Sequence, residues 1–311
     1  MADLTTHNWA DYWKNKAAWA KYKLTNDRTN LIFLQLKQLS RKILRYYEKN
    51  PELATPYKAE LAYLKEHPID ITFPYRRLKR WGQVAVNFDR ERQLSFVVYD
   101  GKRLYFPAKC STKEIETIFL NLIENDNILG GDYRAKSPHQ YQTEQFHVEK
   151  SDTLVDVGCA EGLFALAMID QVKKVYLIEG DPEWTEALKA TFAPYEDKIT
   201  LITKWIADKD SETTTTLTSI LKDEPLHSLF IKMDIEGYET QVVESSEDLL
   251  RKATNIRVVA CTYHKKKDAE ILEKLFDSMN YQTEFSDGYM IFALDQLQPP
   301  YFRKGLIRAY K

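Results

Sequence analysis

The chain has 311 residues, 44% of them hydrophobic, with 10 glycines and 11 prolines, which supports a packed core and excludes a disordered or collagen-like chain. Three cysteines, Cys110, Cys159 and Cys261, are too few for a disulfide framework and fit a reducing compartment. The net charge of −2 hides a split, +10 over residues 1–110 and −12 over 111–311, and such asymmetry marks two modules. In chain order, Ile32, Leu36, Leu39, Ile43 and Tyr46 or Tyr47 recur at helical spacing, which predicts a helix ended by Asn50-Pro51. A second helix carries Tyr57, Leu61 and Leu64 before His67-Pro68. The densest basic cluster follows, Tyr75-Arg76-Arg77-Leu78-Lys79-Arg80-Trp81. It reads as a solvated face, as a surface docking on the acidic half, or as a contact for an anionic ligand. No signature of a nucleic-acid-binding fold accompanies it. Strands are predicted over 83–88, 94–99 and 103–106, with Asp100-Gly101 as the turn between the last two. A helix over about 112–124 leads to a polar stretch with Gly130-Gly131, and the junction between modules is placed at 126–150.

From residue 151 strands and helices alternate. Strands are predicted over 153–157, 174–178, 198–202, 228–233 and 255–262. Helical patterns start at 163, cover 184–192, surround Leu249 and fill 268–279, where Leu272, Leu275, Phe276 and Met279 share a face. Buried strands separated by amphipathic helices imply an α/β, doubly wound parallel sheet. Segments 281–285 and 289–294 flank Ser286-Asp287-Gly288 and read as a terminal antiparallel hairpin. That ending departs from a dinucleotide dehydrogenase and is the plan of the class I, Rossmann-like methyltransferase fold. The expected layout is a helical region with a small β-sheet over 1–125, acting as lid or acceptor-binding region, a connector over 126–150, the methyltransferase domain over 151–296 and a tail over 297–311.

Four motifs carry chemistry. Asp156-Val157-Gly158-Cys159-Ala160-Glu161-Gly162 follows a strand and opens a helix. Its glycines allow a tight turn and close backbone approach to a ligand, and the helix N-terminus offers free N–H groups. A dinucleotide fingerprint would need glycine at 160 and 163, which are Ala and Leu. Glu179, ending the next strand ahead of Gly180-Asp181, is placed to accept from both hydroxyls of a ribose, or else charges the start of the following helix. Ala207-Asp208-Lys209-Asp210 follows the third strand, where Asp208 borders an adenine or forms an ordinary acidic turn. Lys232-Met233-Asp234-Ile235-Glu236-Gly237-Tyr238-Glu239 follows the fourth strand, and ligands of open α/β sheets lie at strand carboxyl ends. Asp234 and Glu236 therefore reach the cofactor's reactive end or the acceptor, while Glu239 could equally pair with a nearby lysine.

Taken together these motifs resemble the FkbM-type methyltransferase family, most specifically in the K-x-D-x-E-G-x-E pattern at 232–239, and over roughly residues 130–295. The family's usual G-A-N-x-G loop is here Gly158-Cys159-Ala160-Glu161-Gly162, and Gly180 stands where proline is frequent. The resemblance implies S-adenosylmethionine as cofactor, held by Asp156, Gly158, Cys159, Ala160, Gly162, Glu179, Gly180, Ala207 and Asp208. It also implies O-methylation, often of sugar hydroxyls. The expected acceptor is a hydroxyl-bearing glycan or anionic small molecule, with no nucleic acid. Asp234, Glu236 and His264 are the expected catalytic residues. His264 follows the fifth strand, and it either takes the acceptor's proton or is an exposed loop histidine. His139, in Ser137-Pro138-His139-Gln140-Tyr141, could cover the cofactor. No metal is expected, because Asp234 and His264 alone make no metal motif.

The opening Met1-Ala2-Asp3-Leu4-Thr5-Thr6-His7 lacks a secretory pattern, and the longest apolar run, 163–169, is far below the ~18 residues that span a bilayer, so a cytoplasmic location is expected. Two other readings stay open: a cofactor-binding scaffold without catalysis, and a nicotinamide-dependent enzyme.

Overall fold

A computed structural model describes residues 26–67, 69, 84–125, 137–292 and 297–311. The chain packs as two compact units, Met1–Pro74 and Tyr75–Lys311. The basic cluster at 75–81 lies outside the described residues. Among the described residues no helix is long and apolar enough to cross a membrane.

The first unit contains helix α1 (Asn26–Lys49), a 3-10 turn (Pro51–Tyr57) and helix α2 (Lys58–Glu66). Among the described residues Ile43, Tyr47, Leu61, Leu64 and Ile69 are its buried apolar side chains, and the first four keep the helical spacing seen in the sequence. Asn50 donates its side-chain amide to Tyr46 O at 2.7 Å, satisfying a carbonyl at the helix end before Pro51 redirects the chain.

The second unit opens with an antiparallel sheet of β1 (Asn87–Asp89), β2 (Leu94–Tyr99) and β3 (Lys102–Phe106). Its Asp100-Gly101 turn has positive φ at both residues, +47° and +75°, as a two-residue hairpin of this kind needs. Helix α3 (Thr112–Leu120) starts at a capping box of Ser111 and Glu114 and passes into a wider turn at Asn121–Asn125 instead of running to 124 as one helix. The small sheet does not group with α1 and α2. Tyr105 N–H donates to Thr191 Oγ1 at 2.9 Å, and Phe106 packs edge-on to Trp184. These contacts explain why the units divide near residue 74 and not near the expected 125: charge separates the halves of the sequence, but packing decides the units.

The main sheet follows. Its elements are β4 (Thr153–Val157), α4 (Leu163–Met168), β5 (Lys174–Ile178), α5 (Thr185–Phe192), β6 (Ile199–Ile202), the short strands β7 (Trp205–Ile206) and β8 (Thr214–Thr215), α6 (Leu217–Leu221), β9 (His227–Met233), α7 (Glu239–Ser245), α8 (Glu247–Lys252), β10 (Thr254–Cys261), α9 (Asp268–Ser278), β11 (Gln282–Phe285), β12 (Tyr289–Met290), β13 (Arg303–Lys304) and β14 (Leu306–Tyr310). The strand order is β6-β5-β4-β9-β10-β14-β11. The first five are parallel, and β14 is antiparallel to both its neighbours. The chain winds outward from β4 to β6 and then returns to β9, which pairs with the other side of β4. The switch point, where ligands of open α/β sheets bind, therefore lies between the carboxyl ends of β4 and β9. This doubly wound order with one inserted antiparallel strand is the class I methyltransferase fold.

The terminal hairpin is present but is longer than expected. β11 pairs with β14, and β12 pairs with β13. Ser286-Asp287-Gly288 is a kink between the two paired stretches, not the turn, and Gly288 has φ +84°. Residues 303–310, expected within a tail, supply the return arm. Arg308 conceals that strand in the sequence: it is buried between apolar neighbours and donates to Gln140 O at 2.6 Å and Tyr141 O at 3.2 Å.

Candidate active site

The loop after β4 is shaped by its glycines. Gly158 has φ +72°, and a Cβ there would overlap the backbone oxygen of Asp234. Gly162 has φ +79°, and a Cβ would press on Phe192 and Leu188 of α5. Gly158 and Cys159 both donate their N–H to Ile178 O, at 2.9 and 3.2 Å, so the loop leans over the end of β5. Ala160, itself at φ +46°, donates to Glu179 Oε2 at 2.9 Å, while Asp181 N–H donates to Glu179 Oε1 at 2.8 Å. A Cβ on Gly180 would strike the Trp205 indole, so the absence of a side chain at 180 is what lets that ring lie against the strand end. Ala207 is buried and donates to Thr215 O at 2.8 Å. Asp208 is exposed, whereas Asp210 accepts from Ser219 Oγ at 2.6 Å and from Thr216 N–H at 3.1 Å at the start of α6.

Asp156 does not face the loop's outer side. It is fully buried and pairs with Lys232, its cross-strand neighbour on β9, at 3.1 Å. Lys232 also donates to Gly158 O at 2.7 Å. Burial disfavours a charged lysine, but Asp156 and Asp234 outweigh it and keep the ammonium protonated. The lysine that opens the 232–239 segment thus ties the glycine loop to β9. Glu161 is buried, which lifts its carboxyl to about 7.

The carboxyl ends of β9 and β10 gather the second half of the site. Asp234 Oδ2 accepts from Tyr141 Oη at 3.0 Å and lies 3.5 Å from His139 Nε2. Asp234 Oδ1 lies 3.6 Å from His264 Nε2. Burial would raise Asp234, but His139, Lys232 and His264 hold it well below the usual carboxylate range. Glu236 sits at φ +60° and Gly237 at +97°. That left-handed pair turns the chain so that Glu236 Oε2 comes to 3.6 Å from His264 Nε2. Glu239 has no exposed surface; its Oε1 accepts from Ile235 N–H at 3.0 Å and its Oε2 from Gly237 N–H at 2.9 Å. The same Oε1 lies 3.0 Å from His264 Nδ1. Burial alone would lower His264; Glu239 first, then Glu236 and Asp234, override it and raise the imidazole to about 9.

His264 is buried, so the exposed-loop reading of this residue does not hold. Asp234, Glu236 and His264, 30 residues apart at the extremes, converge on one point. His139 joins them, as does Tyr141, whose role no local pattern announces because its partner lies 93 residues away. Glu239 pairs with His264 and not with a lysine.

Residues 205–283 match the family model described as the methyltransferase FkbM domain. No curated protein matches the chain at the sequence level. Similar solved structures include a putative transferase, PH0793, from Pyrococcus horikoshii, at 13% identity and TM-score 0.41 over 71% of this chain and 73% of that one. Another is the M. jannaschii tRNA m1G37 methyltransferase, at 17% identity and TM-score 0.37 over 71% and 54%. A third is the precorrin-6y C5,15-methyltransferase from Geobacter metallireducens GS-15, at 12% identity and TM-score 0.36 over 53% and 84%. The strand order and the matched segment agree: residues 205–283 match the methyltransferase FkbM domain and lie on a sheet of class I methyltransferase order, and the cofactor that goes with both is S-adenosylmethionine.

Proposed function

We propose that the protein transfers the methyl group of S-adenosylmethionine to an oxygen acceptor, a sugar or other small-molecule hydroxyl, held at the carboxyl edge of β9 and β10. The observation that carries this reading is the pairing of two half-sites across the switch point. A glycine loop and a ribose-accepting carboxylate lie at β4 and β5, and Asp234, Glu236 and His264 lie at β9 and β10. In this reading Asp156 and Lys232 support the loop from beneath, and Gly158, Cys159, Ala160 and Gly162 present backbone to the cofactor. Glu179 accepts from the ribose, Gly180 and Trp205 shape the floor, and Ala207 and Asp208 border the adenine. The cofactor, when bound, supplies an electrophilic methyl group.

The chain's own residues then orient the acceptor. Alignment of two reactants supplies much of the acceleration in such a displacement. With its imidazole raised to about 9, His264 is already protonated at neutral pH in the ligand-free site. Its first task there is to hold the acceptor, and it can take the acceptor's proton only where alkaline pH has first removed its own. The test is calorimetry with S-adenosylhomocysteine and NAD side by side, followed by labelled methyl transfer to a panel of glycans and phosphorylated sugars, with the product read by NMR. The reading predicts S-adenosylhomocysteine binding and an O-methyl ether. Binding of NAD alone, or an N-methyl or C-methyl product, overturns it.

A further inference from the structure

We propose that Lys265, Lys266 and Lys267 form a subsite for a tetrahedral oxyanion, a phosphate or sulfate ester, so that the acceptor is an anionic sugar and not a neutral one. The subsite rests on the methyltransferase reading, because it borders the half-site in which that reading puts the acceptor. Three observations support it.

The first is position. The three lysines directly follow His264, at the carboxyl edge of β10. Arg303 is buried and donates to Tyr263 O and His264 O, both at 2.8 Å, which fixes the backbone from which the run departs. Lys265 folds back over the neighbouring loop. Its Cε is 3.1 Å from where a Cβ on Gly237 would stand, and its ammonium is 5.2 Å from the centre of the Tyr238 ring. The bare face of Gly237 therefore seats the lysine stem, and the charge is carried to the edge that holds Asp234 and Glu236.

The second is that the charges are uncompensated. Among the described residues none of the three ammonium groups forms an ion pair. The acids closest in the chain are engaged elsewhere. Asp268 is 3% exposed and accepts from the Lys265 backbone N–H at 2.9 Å. Glu239 accepts from Ile235 N–H and Gly237 N–H and faces His264. Glu270 pairs with Lys274 at 2.7 Å.

The third is that the run does not serve the fold. Lys267 is the residue before α9, and cations at a helix start oppose its dipole. Adjacent like charges also repel one another. Residues 111–311 carry a net −12, so a concentrated positive run within them draws an anion to this one edge. The same acidic surroundings, Asp234, Glu236 and Glu270 among them, repel a long polyanion. One localised charge therefore fits better than a nucleic-acid backbone, whose binding needs many phosphates neutralised. The sequence reading looks for an anion contact only at 75–81.

The experiment uses the full-length protein, with and without S-adenosylhomocysteine, titrated by calorimetry with glucose phosphate, glucose sulfate, inorganic phosphate and glucose. At least one ester should bind, with glucose at least tenfold weaker, and the tighter ester tells phosphate from sulfate. Raising the salt from about 0.05 to about 0.5 M should weaken the ester several-fold. The combined variant Lys265→Met, Lys266→Ser, Lys267→Ser should weaken it at least tenfold and leave S-adenosylhomocysteine affinity unchanged. Lys252→Ser, at the end of α8 and so at the opposite edge of the sheet, should change neither. Circular dichroism accompanies each variant, and Lys265→Met alone, which keeps a stem over Gly237, stands as the test if the combined variant fails to fold. No binding of either ester or of phosphate at tens of millimolar, glucose bound as tightly as its esters, or ester binding indifferent to the lysines overturns the subsite. Binding of a single-stranded RNA through these lysines, with no ester bound, overturns the small acceptor. S-adenosylhomocysteine binding without ester binding refutes only the subsite. Ester binding that the lysine variant abolishes, without S-adenosylhomocysteine binding, refutes the methyltransferase reading and leaves the anion site standing.

Discussion

Lys232 links the stability of the sheet to the shape of the cofactor loop, and its replacement tests both. Lys232→Met keeps most of the stem's bulk and removes the ammonium. Asp156, fully buried, then has no cation at 3.1 Å, and Gly158 O loses its 2.7 Å donor. Breaking a buried ion pair from one side costs about 3–5 kcal/mol. Burial already pushes the Asp156 carboxyl upward, so protonation relieves part of that cost, and we expect a loss of about 3 kcal/mol near neutral pH. Urea unfolding followed by circular dichroism reads it as a lower midpoint with unchanged m. The double variant Asp156→Asn/Lys232→Met removes both charges and should recover to within about 1 kcal/mol of wild type, because the uncompensated charge, not the missing pair, is what destabilises. A single variant within 1 kcal/mol of wild type, or a double variant as unstable as the single, refutes this account (both thresholds being roughly the scatter of such cycles).

The parallel strands were legible because burial on both faces leaves unbroken apolar runs. Thr153-Leu154-Val155-Asp156-Val157 forms β4 with the bounds its sequence predicts. The one ionisable residue in that run, Asp156, is paired there with Lys232, a relation invisible until β4 and β9 are paired. β14 was not legible, since Arg308 interrupts its apolar pattern and is satisfied by carbonyls some 167 residues away. The glycine loop and the 232–239 segment stood out because their distinctive residues are contiguous in the chain. The segment 137–142 was only partly legible. Ser137, His139, Gln140 and Gln142 are polar yet buried, and local composition reads such a stretch as exposed loop. Its contribution, Tyr141 and His139 against Asp234, exists only through packing. The K-x-D-x-E-G-x-E pattern now has a physical reading. Lysine holds the loop, Asp234 and Glu236 face the histidine, glycine permits φ +97°, and the last glutamate binds the loop's own N–H groups and the histidine together.

Three further outcomes follow from the same geometry. Gly158→Ala places a methyl group against the Asp234 carbonyl at φ +72°; it should lower stability by at least about 1–2 kcal/mol from backbone strain alone, and a thermal melt matching wild type would remove the close approach of these two loops. Glu179→Ala should weaken S-adenosylhomocysteine by about 1–3 kcal/mol, roughly 5- to 150-fold in Kd, by calorimetry; unchanged affinity removes the ribose role. Glu161→Gln tests burial through pH. The Glu161 carboxyl stands at about 7 in the folded chain against an ordinary value of 4.5, so the folded state holds a proton that the unfolded state has released between those values. Stability linked to Glu161 is therefore full below about pH 4.5 and declines as pH rises through about 7. Glutamine cannot ionise, so the variant should gain on wild type by about 3 kcal/mol in total between acid and mildly alkaline pH. The measurement is denaturant unfolding of both proteins at several pH values without ligand. A stability difference that stays flat with pH would show that Glu161 keeps its charge in the fold, and would place a compensating cation beside the cofactor loop.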